Sequence, residues 1–197
     1  MKIIDNLKKR GFKPYFVKNG DEVVEILKQN IPQGETIGFG DSISVEELLL
    51  PQKLKAKGYK CNNPLQSTQS WDKLCADNKL TKYYVSSTNA ITNDGILVNT
   101  DGTGNRISSM CFGPKKLFFV LGTNKICNDL EKAIQRIENV AAPLNAKRLN
   151  IQTPCVKSGK CMHCKSPEKI CNATLLLYHP TSSMEVHVII VDKELGL

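Results

Sequence analysis

Two hydrophobic rhythms alternate along the chain. Residues 2 to 10 carry Ile3, Ile4 and Leu7 at helical spacing and stop at Gly11, a residue suited to the left-handed turn that closes a helix. "PYFV" follows as a strand, and Asp21 opens a second helix with Val23, Val24, Ile26 and Leu27 on one face. "ETIGFGDS" reads as a strand and then a glycine turn, and "SVEELLLPQKLKAKG" as a helix that Pro51 kinks or interrupts. A short strand "GYKC", a helix "SWDKLCADNKL" and a strand "KYYVSS" repeat the order. This succession predicts an α/β fold whose mainly parallel sheet is covered by helices on both faces. Ligands of such sheets bind where loops leave the C-terminal ends of the strands.

The middle of the chain breaks the rhythm. "SSTNAITNDGILVNTDGTGNR" places Asp94-Gly95 and Asp101-Gly102 around Ile96, Leu97 and Val98, a hairpin signature. "KKLFFVLG" then reads as a buried strand and "NDLEKAIQRIENVAAPLNAKRL" as a long helix with Leu130, Ile134, Ile137 and Val140 inward. After a cysteine-rich stretch come two strand-like runs, "ATLLLYH" and "MEVHVIIVD". No repeat, low-complexity tract or linker divides residues 1–197, which read as one domain, long enough for a full core.

The formal net charge of +8 invites a nucleic-acid reading, but the positive side chains are scattered and nearly all are Lys. Only Arg10, Arg106, Arg136 and Arg148 offer a bidentate fork, and no basic block has interleaved aromatics, so no nucleic-acid partner is expected. No run approaches the roughly 20 apolar residues of a membrane span. The N-terminus "MKIIDNLKKRGF" mixes charge with apolar residues too early for a signal-peptide core. The expectation is a cytoplasmic protein without membrane insertion.

Four of the eight cysteines crowd into residues 153–172, in the pattern Cys155-x5-Cys161-x2-Cys164-x6-Cys171. Pro154, Gly159 and Pro167 let this loop fold back and aim the side chains inward. Thiolates are soft ligands, and four in one loop suit an iron-sulfur cluster or tetrahedral zinc. One Cys-x2-Cys pair with outlying partners leans toward a cluster, [4Fe–4S], with zinc as the alternative. A disulfide is the structural rival, disfavoured in a reducing cytoplasm. His163, between two of these cysteines, reads as a spare ligand or as exposed loop. Cys61, Cys75, Cys111 and Cys127 stand alone and read as reduced thiols.

Two further stretches carry candidate chemistry. In "IGFGDSIS", Gly38, Gly40, Asp41 and Ser42 lie between a strand and a helix, where backbone N–H groups and the helix dipole would hold a phosphate or carboxylate. A tight turn needs the same residues. The second stretch concentrates Asn89, Thr92, Asp94, Asn99, Asp101, Asn105 and Arg106. Arg106 follows a glycine turn that would point its fork at a substrate carboxylate. Asp101 is the favoured proton acceptor, with Asp94 and Glu46 as other candidate bases.

Taken together, "TNAITNDGILVNTDGTGNR", "FGPKKLFFVLGTNKI", "IENVAAPLNAKRL", "TPCVKSGKCMHCKSPEKICN" and "VHVIIVDKELGL" resemble the LUD domain family, named for lactate utilization proteins. The resemblance implies a three-layer α/β fold similar to ribose-5-phosphate isomerase and the coenzyme A transferases. It also implies that the Gly38 to Ser42 loop and the Asp94 to Arg106 segment face one active site. Relatives act beside iron-sulfur and flavin subunits in converting L-lactate to pyruvate, and the cysteine quartet marks a compact stand-alone branch. The expected protein binds a small anionic metabolite, a 2-hydroxy or 2-oxo acid, and uses a cluster in redox chemistry with electron-transfer partner subunits. The rivals are a redox-silent isomerase or acyl-transferase with structural zinc, and a non-catalytic regulatory or assembly subunit.

Overall fold

The two most apolar runs become the two central strands. In the computed structural model, which describes residues 2–197, β7 (Lys116–Gly122) and β10 (Glu185–Val191) pair in parallel, from Glu185 opposite Lys116 to Val191 opposite Gly122. With β1 (Lys13–Val17), β2 (Thr36–Phe39), β3 (Lys60–Asn62) and β4 (Tyr83–Ser86) they form a six-stranded parallel sheet of order β1-β10-β7-β4-β2-β3. Successive side chains of a strand point to opposite faces, and here both faces are buried, which is why these strands are continuously apolar. Phe118, Val120, Ile189 and Val191 pack with α2 (Gly20–Asn30), α3 (Ile43–Glu47) and α4 (Leu50–Ala56). Leu117, Phe119, Leu121, Val188 and Ile190 pack on the other side with Ile3 and Leu7 of α1 (Lys2–Lys9) and Met110 of α6 (Asn105–Cys111). Each such fully buried side chain contributes about 2 kcal/mol of hydrophobic stabilisation.

The predicted hairpin forms, and it belongs to a second sheet that the sequence did not foretell. β5 (Ala90–Thr92) and β6 (Leu97–Asp101) pair antiparallel, flanked by β8 (Ile126–Cys127) and β9 (Ala173–Leu177) in the order β8-β5-β6-β9. Ile91, Leu97 and Leu177 join the core under the parallel sheet, while Ala90, Ile96 and Val98 pack against Ala133 and Ile137. The fold class holds as α/β, a parallel sheet flanked by helices, with this small sheet as an additional layer on one side.

Three helical expectations change. The helix after the glycine turn is two helices: α3 has five residues, and Leu49, at φ 54, turns left-handed before Pro51 takes the first turn of α4. The long helix is α7 (Leu130–Arg136), a π-helical turn over Ile137–Ala141, and α8 (Ala142–Arg148). Pro143, which has no N–H to give, sits just beyond the point where the ladder widens. Ile134 and Val140, expected inward, are each 39% exposed, whereas Ile137 is buried as expected and shares its stripe with Ala133 and Ala141. The remaining helices are α5 (Trp71–Lys79) and α9 (Pro154–Ser158). Among the described residues, no helix is long and apolar enough to cross a membrane.

Candidate functional site

Loops leaving the C-terminal ends of β2, β4 and β7 converge on a cleft of about 190 Å³, where α6 and α8 supply the remaining walls. Its polar lining comes from Asp41, Ser42 and Ser44 after β2, Ser87, Thr88 and Asn89 after β4, and Lys125 after β7. Asp101, Asn105 and Arg106 enter from the β6–α6 corner, Arg148 from α8.

The β6–α6 corner is held by one carboxylate. Asp101 accepts from the backbone N–H of Arg106 and of Ile107 (both 2.9 Å), from Arg106 Nε (2.8 Å) and from Arg106 Nη2. Gly104, at φ 79, provides the left-handed turn that brings Arg106 back over Asp101. Arg106 Nη2 also reaches the Thr100 carbonyl (2.9 Å) and Asn89 Oδ1 (3.2 Å), while Nη1 makes none of these bonds. The expectation for Asp101 is therefore corrected: both oxygens are committed to Arg106 and the start of α6, and accepting a substrate proton would require giving up a bond. Arg106 lines the cleft as expected, but as a side chain 12% exposed and locked to a carboxylate 2% exposed.

The glycine loop divides. Asp41 and Ser42 line the cleft, whereas Gly38 and Gly40 are absent from its wall. A Cβ on Gly38 would meet Thr81 Oγ1 at 2.5 Å, and one on Gly40 would run into Ser86, so these glycines let β2 pack against its neighbours. The five-residue α3 is also too short to offer the anticipated helix dipole. Asp41 pairs with Arg148 at 3.1 Å, and Arg148 Nε is held by Asn145 (2.9 Å). Ser42 Oγ is buried on the cleft wall without any hydrogen-bond partner.

Of the other anticipated residues, Asn89 and Asn105 reach the cleft, and Thr92 does not. Thr92 Oγ1 accepts from Ile96 N (2.8 Å) and donates to Asp94, closing the hairpin turn. Asp94 pairs with Arg10 at 2.7 Å and is half-exposed, and Glu46 is occupied by Asn63 (2.7 Å) and Gln66 (2.6 Å). Neither is in the cleft, so both drop out as candidate bases. Asn99 is fully buried and also absent from the lining.

Lys125 is the residue the sequence reading missed. It follows "LFFVLG" at the C-terminal end of the central strand, where bound ligands sit in such sheets. Only 4% exposed, it donates from Nζ to Ser44 Oγ (2.9 Å) and Ser87 Oγ (3.2 Å) and has no carboxylate partner. Burial, with the charges of Arg136 and Arg106 adding to it, pulls its ammonium down to about 7, against a smaller opposing pull from Glu47.

A second cavity, of about 330 Å³, adjoins the first, and Cys155, Cys161, Cys164 and Cys171 all line it. Thr100, Ile137, Ala142, Ile170 and Cys171 line both cavities. The cysteine loop is tied down at two points. Cys161 N donates to the Glu138 carbonyl (2.9 Å), and Asn172 reaches the Asp101 carbonyl from its backbone (2.9 Å) and the Gly102 carbonyl from its side chain (3.0 Å). A Cβ on Gly102 would lie 3.1 Å from Ile170 Cα, so any side chain here would make this backbone give way by a few tenths of an ångström. Among the described residues, the one trio of possible ligand atoms lying within 4.8 Å of one another is Glu138, Cys161 and His163; no three cysteine sulfurs come that close. Burial pushes the Cys171 thiol up, Lys169 opposes it, and the neighbouring Cys161, Cys164 and Cys155 add to the rise.

A parallel α/β sheet with a cationic cleft at its C-terminal edge and a cysteine-lined cavity beside it defines the class of protein. The chain belongs to the LUD domain family, whose model matches residues 1–191. At the level of the family this carries a role related to lactate utilization. A DUF162 family protein from Deinococcus radiodurans matches with a TM-score of 0.53 at 12% identity, covering 95% of this chain and 94% of its own, and at that identity it speaks for the fold alone. eIF2B beta from Chaetomium thermophilum matches 56% of this chain and 43% of its own, at 16% identity and a TM-score of 0.36. No curated protein matches the sequence.

Proposed function

We propose that the protein binds a small carboxylate of the 2-hydroxy or 2-oxo acid class in the cleft and holds an iron-sulfur cluster, [4Fe–4S], on Cys155, Cys161, Cys164 and Cys171. The observation that carries this reading is the shared wall: Cys171 and Ile170 face the cleft on one side and the cysteine cavity on the other. The donor set fits a cluster, four soft sulfurs around one largely apolar space. One Cys-x2-Cys pair with outlying partners leans toward a cluster over a single zinc ion. Burial pushes the Cys171 thiol up, so its thiolate needs a cationic partner to stabilise it.

When bound, the cluster supplies electron transfer, to be passed to partner subunits. The chain's own residues do the rest. Arg106 and Arg148 hold the substrate carboxylate, and Ser42 Oγ offers an unused hydrogen bond beside it. Asn89 and Asp101 orient Arg106 rather than touch substrate. Ile137, Ala142 and Ile170 form the apolar partition that limits water between the two cavities. A reducing compartment such as the cytoplasm would keep the sulfurs free of disulfides.

Purification without oxygen tests this, with iron and acid-labile sulfide measured beside calorimetric titration of pyruvate and lactate. Stoichiometric iron and sulfide with binding of either acid supports it, whereas failure to bind both acids removes the metabolite half. The closeness of Glu138, Cys161 and His163 favours a second reading, a mononuclear zinc with a redox-silent isomerase or acyl-transferase in the cleft. One zinc per chain and no labile sulfide would select it.

A further inference from the structure

We propose that Lys125 is held as a free amine that adds to the carbonyl of a 2-oxo acid seated in the cleft, forming a reversible imine. The inference rests on the reading of the cleft as a carboxylate site and adds a covalent step to it. Its basis is a hydrogen-bond count. An ammonium has three N–H donors to satisfy, and among the described residues two acceptors face Lys125 Nζ, Ser44 Oγ at 2.9 Å and Ser87 Oγ at 3.2 Å, in a place 4% exposed. A neutral amine has two N–H donors and one lone pair, so the same two serines satisfy it completely and leave the lone pair unengaged.

The serines are themselves fixed in the accepting role. Ser44 donates its hydroxyl to the Leu195 carbonyl (3.3 Å) and Ser87 to the Thr88 carbonyl (3.3 Å). Their protons point away from Nζ, so they position the amine rather than serve as nucleophiles activated by it. The charged groups around Lys125 act in the same direction: Arg136 from α7 and Arg106 from α6 disfavour an ammonium, and Glu47 from α3 opposes them more weakly. A buried lysine among cations is the arrangement that turns an amine into a nucleophile near neutral pH.

Beyond the two partners the step needs only a proton from solvent. Nζ attacks C2 of the 2-oxo acid, a proton moves from nitrogen to the former carbonyl oxygen, and the neutral carbinolamine takes up one proton from solvent and loses water to give the protonated imine. Hydrolysis returns both partners. The product is cationic, like the ammonium that this pocket disfavours, and the substrate carboxylate beside Arg106 brings the anion that Lys125 otherwise lacks.

The test is reductive trapping. The full chain is incubated with pyruvate and cyanoborohydride at pH 7, and adducts are located by peptide mass spectrometry. With Lys125 near 7 and ordinary lysines near 10.5, the neutral fraction differs by about 10³, so one reduced pyruvyl adduct is expected on Lys125 well before any surface lysine. Lys125→Met, which keeps the bulk and lacks the amine, should abolish it. Two parallel arms separate the failures. Calorimetric binding of pyruvate without an adduct would overturn the imine and leave the carboxylate cleft standing. An adduct with propanal, a carbonyl compound without a carboxylate, but none with pyruvate would overturn both. Adducts spread evenly over the surface lysines would contradict the proposal as well.

Discussion

The six parallel strands carry a cluster of charge at each end, built on opposite rules. At the N-terminal edge, Glu185 of β10 takes Lys13 of β1 at 2.6 Å, Lys116 of β7 at 3.1 Å and His187 Nε2 at 2.7 Å. His187, fully buried, also meets the Tyr15 hydroxyl (3.2 Å) and stacks on Tyr15 and Phe118. Burial works against the Glu185 carboxylate, yet hydrogen bonds from Lys13, His187 and Lys116 bring it down to about 2. At the C-terminal edge, Lys125 has hydroxyls in place of a carboxylate, and Ser42 Oγ has nothing. The first end is complete in itself. The second leaves one buried hydroxyl unbonded and a buried lysine without a carboxylate, which suits a binding site for an anion.

The largest expected effect comes from breaking the one pair the cleft end does possess. Arg106→Ala would leave Asp101 buried and unpaired, costing about 4 kcal/mol in urea denaturation, so this variant reports on folding before it reports on binding. His187→Ala comes next. Loss of a buried ring held on two sides should cost about 3 kcal/mol while the folded protein keeps its affinity for pyruvate, since His187 lies away from the cleft.

The third effect separates the two ends by pH. Between about pH 7 and 10.5 the unfolded chain retains a proton that folded Lys125 has lost, so raising the pH favours the folded state. Relative to Lys125→Met, the wild-type protein should gain about 2 kcal/mol or more from pH 7 to 10. The contribution of Glu185 has the same sign in a separate, acidic window: fully present above the ordinary carboxylate range, it is lost as the pH falls toward 2. Smallest in stability is Arg148→Ala. Its pair with Asp41 is partly solvated and should be worth 1 kcal/mol or less, about, yet calorimetry should show pyruvate binding weakened about tenfold. An Arg148 variant that binds normally would remove this arginine from the site.

Much of this architecture was legible in the sequence. "KKLFFVLG" read as a buried strand and "MEVHVIIVD" as a strand, and the two Asp-Gly pairs marked the hairpin and the glycine turn before Arg106. What was not legible depends on closure of the chain in three dimensions. Gly38 and Gly40 looked like an anion loop because close packing and ligand approach both require glycine, and only the positions of Thr81 and Ser86 decide between them. Lys125 was one lysine among many; burial beneath Arg136 and the α3 loop sets it apart, and its place just beyond a buried strand was the available signal. The cysteine spacing led to the expectation of a ligand set, but the contact of this loop with the cleft through Cys171 arises from Asn172 bonding to the Asp101 corner.

The central claim is that a cysteine-bound cluster and a carboxylate site share a wall. Electron paramagnetic resonance of the oxygen-free, dithionite-reduced protein, recorded with and without saturating pyruvate, tests it most directly. The expected result is a cluster signal whose shape changes when pyruvate binds. A signal indifferent to pyruvate, or no cluster signal in a protein carrying one zinc per chain, would contradict it.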